Sequence, residues 1–143
     1  MTTKQNQPPT REIGEAERAL RANLDRLLEK AGRAFPEWTT MIFLAHGGSL
    51  TADALVERQR AGHITDEHGA RAAIATLEAE GAVHVTSGGV SLTEAGHRAY
   101  DELRRLVAAM TASIFDELPD EDVETTRRTL SQVAQRASVR LSG

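Results

Sequence analysis

Apolar residues recur at intervals of three and four along most of the chain, and one short alternating stretch interrupts them. Ile13, Ala16, Leu20, Leu24, Leu27 and Leu28 make a stripe that predicts a helix from Arg11 to Arg33, closed by Gly32 and Pro36. "PEWTTMIFLAHGG" reads as a short second helix, with Pro36 in its first turn and Gly47-Gly48 at its end. "SLTADALVERQRAG" predicts a third, capped by Ser49 or Thr51 and stopped by Gly62. "HITDEHGARAAIATLEAEG" predicts a fourth, with Thr65 as N-cap, Ile74 and Leu77 buried, and Gly81 as its stop. Two short β runs follow, Ala82 to Thr86 and Val90 to Leu92, joined by Ser87-Gly88-Gly89, with Gly88 and Gly89 supplying positive φ. Thr93 caps a long fifth helix over roughly Glu94 to Glu117, with Tyr100, Leu103, Leu106, Val107, Met110, Ile114 and Phe115 on one face. Pro119 breaks it, and Asp120 caps a sixth helix whose Val123, Leu130, Val133, Ala134 and Ala137 point inward.

A lone hairpin is marginally stable in water, so this one must lean on something. Two consecutive short helices with a Gly-containing turn fit a helix-turn-helix. A hairpin directly after the second of them fits the wing of a winged helix. Helical pairs separated by glycine also occur in many all-α folds; the complete order of elements is the more specific signal. The expected fold is therefore mainly α, a winged helix-turn-helix with a small β-hairpin wing flanked by N- and C-terminal helices.

Composition narrows the class. The 143 residues suit one domain, or one domain with an oligomerisation element. Hydrophobic residues make up 40% but aromatics only 3%, so the core is built from Leu, Ile, Val and Ala. Absence of cysteine excludes disulfides and thiolate metal sites. The opening "MTTKQNQPPT" is polar, lacks the apolar stretch of an export signal, and is expected to be disordered over residues 1–10. No apolar run has membrane-spanning length. A cytoplasmic protein without membrane contact is expected.

The segments "TLEAEGAVHV" (Thr76 to Val85) and "VSLTEAGHRAYDEL" (Val90 to Leu103) carry a family resemblance. A leucine–glutamate pair and a glycine end the fourth helix, and an "LT-x-x-G" sequence opens the helix after the wing. The chain resembles MarR-type transcription regulators over about Arg11 to Leu141; PadR-like winged helices share parts of this pattern. The resemblance implies a homodimer with interlocking terminal helices, a recognition helix in the major groove of double-stranded DNA, and a small aromatic or phenolic effector. It divides the chain into a dimerisation helix (11–35), a DNA-binding winged helix-turn-helix (36–105) and C-terminal dimerisation helices (106–143). It implies a sequence-specific regulator, a ligand-released repressor of a pseudo-palindromic operator. The family wing is usually longer and carries an Asp-x-Arg element; here no arginine lies between Ala82 and Leu92.

On the fourth helix, His68, Arg71, Ala72 and Thr76 lie off the buried stripe, and with Thr65 and the wing-tip residues Ser87 and Gly88 they form the expected DNA-contacting set. Arg71 is the one strong base reader among them, able to take guanine in bidentate fashion; the plainer reading of His68 and Arg71 is solvated helix surface. Charge opposes DNA binding. Six basic residues stand against nine acidic between Thr51 and Arg105, a balance of -3, with no lysine there; the whole chain is at -4. A winged-helix dimer with weak or lost DNA binding, acting as a protein-interaction or small-molecule-binding module, is the alternative.

Phe35, Trp38 and Met41, with Phe43 nearby, read either as core or as the wall of an effector pocket. His46, His63, His68, His84 and His97 show no metal-ligand spacing, so no metal or cofactor is expected. Ser49, Ser87 and Ser91 lack a nucleophile-elbow context, and the "HGGS" at His46 to Ser49 lacks the α/β sheet an oxyanion loop needs. No enzymatic activity is expected. The uncovered stripes of the terminal helices predict association, most simply as a two-fold dimer.

Overall fold

A computed structural model describes residues 7–143. The expected disordered segment 1–10 lies mostly outside these residues; Thr10 already opens the first helix. The elements are α1 (Thr10–Lys30), α2 (Phe35–Gly47), α3 (Ala52–Ala61), α4 (Glu67–Ala79), β1 (Val83–Thr86), β2 (Gly89–Leu92), α5 (Glu94–Phe115) and α6 (Asp120–Ser142). The chain divides into two compact units, Met1–Arg105 and Leu106–Gly143, with α5 running through the boundary. Among the described residues no helix is long and apolar enough to cross a membrane.

The first unit is a winged helix. Leu28, Trp38, Met41, Leu44, Leu55, Val56, Ala73, Ile74, Leu77, Val83, Val90, Tyr100 and Leu103 are buried and form one core. Trp38 stacks on Tyr100 with ring centroids 5.5 Å apart. Three polar residues are buried in this core, Thr39, Thr40 and Gln59, the last at 0% exposure. The Gln59 amide donates to the Pro36 carbonyl at 3.0 Å and to Thr40 Oγ1 at 2.8 Å, and its Oε1 accepts from Thr39 Oγ1 at 3.0 Å. A buried polar group without partners costs free energy, so this network fixes how α3 seats on α2.

Three helices end with the paired hydrogen bonds of a Schellman motif. At α1, Arg33 N donates to Leu28 O at 2.9 Å around Gly32, whose φ is 71°. At α4, Ala82 N donates to Leu77 O at 2.9 Å around Gly81, whose φ is 79°. At α3 the left-handed residue is His63, φ 56°, and not the expected stop Gly62, whose φ is -85°. Ile64 N closes that motif on Gln59 O at 2.9 Å. Histidine tolerates this conformation better than branched residues do.

The hairpin pairs Val83 with Leu92, His84 with Ser91, Val85 with Val90 and Thr86 with Gly89, so the turn is the dipeptide Ser87-Gly88. Positive φ occurs at Gly89 (144°) and not at Gly88. Gly89 is buried, and a β-carbon there would fall 2.8 Å from Ser49 Oγ. That close approach lets Leu50 bridge to the other edge of β2: Leu50 N donates to Val90 O at 3.0 Å and Val90 N to Leu50 O at 2.7 Å. The wing thus leans on the residue just before the N-cap of α3.

The base of the wing is clasped by α5. Thr93 N donates to Ala82 O at 3.0 Å, Thr93 Oγ1 donates to Gly81 O at 2.6 Å, and the same hydroxyl accepts from Gly96 N at 3.0 Å as the cap of α5. Gly96 is buried, and a β-carbon on it would overlap the Ala82 carbonyl oxygen.

The second unit pairs the end of α5 with α6 around Leu118 and Pro119. Pro119, not Asp120, occupies the N-cap position of α6; its ring offers no side-chain cap, and the carboxylates of Asp120, Glu121 and Asp122 fall within the first turn. The inward face expected of α6 is absent in the single chain: the helix has no buried residue, and Leu130 and Val133 are 42% and 46% exposed.

The clasp yields a prediction. Gly96→Ala must push α5 off a backbone atom that cannot rotate away, and overpacking of this kind costs about 1–3 kcal/mol. Urea denaturation should show that loss; wild-type stability would mean that the α5 contact with Ala82 is not tight.

Candidate nucleic-acid interface

α4 presents one face to the core through Ala70, Ala73, Ile74 and Leu77, and the opposite face to solvent. Its start differs from expectation. Asp66 and not Thr65 is the N-cap, with Asp66 Oδ1 accepting from Gly69 N at 2.8 Å. Both residue types suit a cap. Thr65 lies one position earlier, half-buried, and a β-carbon on Gly69 would run into its hydroxyl. The missing side chain at Gly69 is what leaves Thr65 room to fold over the first turn.

His68, Arg71 and Ala72 are exposed on this face, and Thr76 is half-buried. Ser87 and Gly88 are exposed at the tip of the wing. The expected DNA-contacting residues therefore fall on α4, on the residue preceding its cap and on the wing. Asp66, Glu67, His68 and Arg71 line one shallow depression at the head of α4.

Arg71 is not a free cation. Its Nε donates to Glu67 Oε2 at 2.9 Å and its Nη2 to Asp53 Oδ1 at 2.8 Å. The hydrogen bond to Asp53, then that to Glu67, raises the guanidinium above its ordinary range, so it stays charged at any working pH. The contact with Asp53 spans α3 and α4 and was not read from the sequence. Only the Glu67–Arg71 spacing of four carried a local signal.

Two of the other five arginines of the region are also paired with carboxylates, and no ion pair holds Arg58, Arg60 or Arg105 among the described residues. Arg98 lies 3.7 Å from Glu94, and Arg104 lies 3.7 Å from Asp101. Arg58 sits over the Phe43 ring at 5.8 Å. Arg33, mostly buried, bridges Glu37 at 3.1 Å and Glu80 at 2.8 Å, which gives the glutamate before Gly81 a structural role between α4 and the α1–α2 loop.

Met41 is fully buried, and Trp38 is buried against Tyr100. Phe35 is half-buried, with the Arg21 guanidinium 3.5 Å from its ring centroid. Among the described residues, no group of three or more histidine, aspartate or glutamate side chains is gathered as a metal ion would require.

This arrangement of helices and wing is the MarR arrangement. A MarR family protein from Mycobacterium tuberculosis in complex with DNA is 20% identical and superposes with a TM-score of 0.75, the match covering 90% of this chain and 98% of that one. The same protein in complex with salicylic acid gives 19% identity and a TM-score of 0.69, covering 88% and 98%. A MarR family protein from Bacillus stearothermophilus gives 19% and 0.71, covering 94% and 99%. At these identities the likeness establishes the fold. No family model matches the sequence, and no curated protein does.

Proposed function

We propose that this chain is a MarR-type transcription regulator that binds a pseudo-palindromic operator as a homodimer, most simply as a ligand-released repressor in the cytoplasm. The observation that carries the reading is α4: a helix seated by one face on the core, open on the other, and fixed next to a wing, in a fold shared over nearly its whole length with a protein that was solved on DNA. A helix so placed fits the major groove. Thr65, His68, Arg71, Ala72 and Thr76 would meet DNA from α4 and its lead-in, and Ser87 and Gly88 from the wing. With no basic side chain at its tip, the wing would contact backbone through its hydroxyl and amides.

Residues 36–105 are assigned the DNA-binding role, with 11–35 and 106–143 assigned to dimerisation. Exposed Leu106, Ile114, Phe115, Leu118, Leu130, Val133, Val139 and Leu141 support the second assignment, because so many uncovered apolar side chains favour association. The effector reading places a small aromatic acid against Phe35, Trp38 and Met41, supported by the partly exposed Phe35 ring beside Arg21, whose Nε is held by Asp25 at 3.1 Å and whose remaining N–H groups suit a carboxylate. The acidic balance favours the second reading, a winged-helix dimer that binds a protein or small molecule in place of DNA.

Three measurements test these assignments. Selection against a random duplex pool at low and near-physiological salt should enrich a palindrome, and Arg71→Ala should relax one base position in each half-site and weaken binding about tenfold. No enrichment by the wild-type protein would leave the second reading. Light scattering at micromolar concentration should give twice the chain mass; a monomer would overturn the dimer. Salicylate and related phenolic acids should change the fluorescence of Trp38, the sole tryptophan. Unchanged fluorescence together with an unchanged melting temperature would remove the pocket.

A further inference from the structure

The single arginine on the open face of α4 is held from two sides. Glu67 comes from one turn earlier on the same helix, while Asp53 comes from the first turn of α3. All three side chains keep large solvent exposure, so the two ion pairs contribute little to folding stability. Their effect is on where the guanidinium points.

A guanidinium has five N–H donors in a planar fork. The carboxylates take Nε–H and one hydrogen of Nη2, while Nη1 has no partner among the described residues. With Asp53 on the Nη2 hydrogen that lies beside Nε–H, the outer edge, made by Nη1 and the second hydrogen of Nη2, is left with two parallel donors. Two parallel donors match the O6 and N7 acceptors of guanine. An arginine side chain otherwise sweeps a wide volume, and holding its side edge removes ordering cost before any contact with a base. The charge argument runs the same way. Two carboxylates around one cation leave the cluster net negative, which disfavours phosphate and all non-specific binding.

We propose that Asp53 and Glu67 are positioning residues that hold Arg71 by its side edge and leave its outer edge to read a guanine, raising base discrimination while lowering general affinity for DNA. The inference rests on the DNA-reading assignment above.

The test compares wild type, Asp53→Ala, Asp53→Asn and Glu67→Gln on the selected duplex, on each of its single-base variants and on a random duplex, with melting temperatures as a folding check. Asn keeps an acceptor at position 53 and removes only the charge; Ala removes both. Both should bind the random duplex more tightly than wild type. Asp53→Ala should lose about five- to tenfold of discrimination at the position that Arg71→Ala relaxes, a part of what a bidentate pair supplies. Asp53→Asn should keep more of that discrimination, and Glu67→Gln should lose some of it at the same position. If Ala and Asn at 53 strengthen binding to every duplex by the same factor, the carboxylates act only as charge and the proposal falls. It falls equally if base preference is unchanged in all three variants. A wild-type protein with no preferred duplex would remove the DNA-reading assignment itself, a result visible before any variant is compared.

Discussion

The first turn of α5 lies directly on the backbone that leaves α4, and the winged-helix unit is assembled around that contact. Gly81 turns the chain with a left-handed φ, and its carbonyl takes the Thr93 hydroxyl. The next carbonyl, Ala82, takes the Thr93 amide and lies where a side chain on Gly96 would be. One threonine therefore closes the loop that contains the whole hairpin and starts the next helix. The wing leaves and returns at a single point, so its two strands need only a short lever against the body. Leu50 supplies that lever through two hydrogen bonds to Val90. A two-stranded ribbon that would be marginal alone becomes a three-way junction.

These constraints explain what could be read from the sequence. The order of elements was legible because its signals are local: stripes at helical spacing, Thr93 three residues before Gly96, and glycines at 32 and 81 where left-handed turns are needed. The ends of α1 and the start of α6 moved by a residue or a few, as helix ends do where no side-chain cap fixes them. Thr65 and Asp66 are both good caps, and sequence alone does not say which takes the extended backbone; the bare Gly69 backbone, with Asp66 accepting its amide, settles it. His63 hid its left-handed turn behind the neighbouring Gly62, the residue a sequence reader expects to find there.

What was not legible is non-local. No local signal marks Gln59, yet it is the hub that joins α3 to Pro36, Thr39 and Thr40. Trp38 was read either as core or as pocket wall, and its partner Tyr100 sits far away in sequence on α5. The candidate interface shows the same limit. Periodicity picks out the exposed face of α4, but the state of Arg71 depends on Asp53, eighteen positions earlier and on another helix.

The acidic character of the chain then takes a different meaning. A surface that gathers phosphates needs unpaired cations, and of the six arginines between Thr51 and Arg105, Arg71, Arg98 and Arg104 each lie beside a carboxylate. Under the proposed function, counterion release would fall to Arg58, Arg60 and Arg105, and duplex binding would lean more on fit than on charge. The wing, lacking a basic side chain, adds no compensating charge. Under the proposed function, such a surface would give up affinity for random DNA at the outset. The difference would have to come from base contacts and from their two-fold repetition, and the uncovered apolar side chains of 106–143 would then matter to recognition as much as α4 itself.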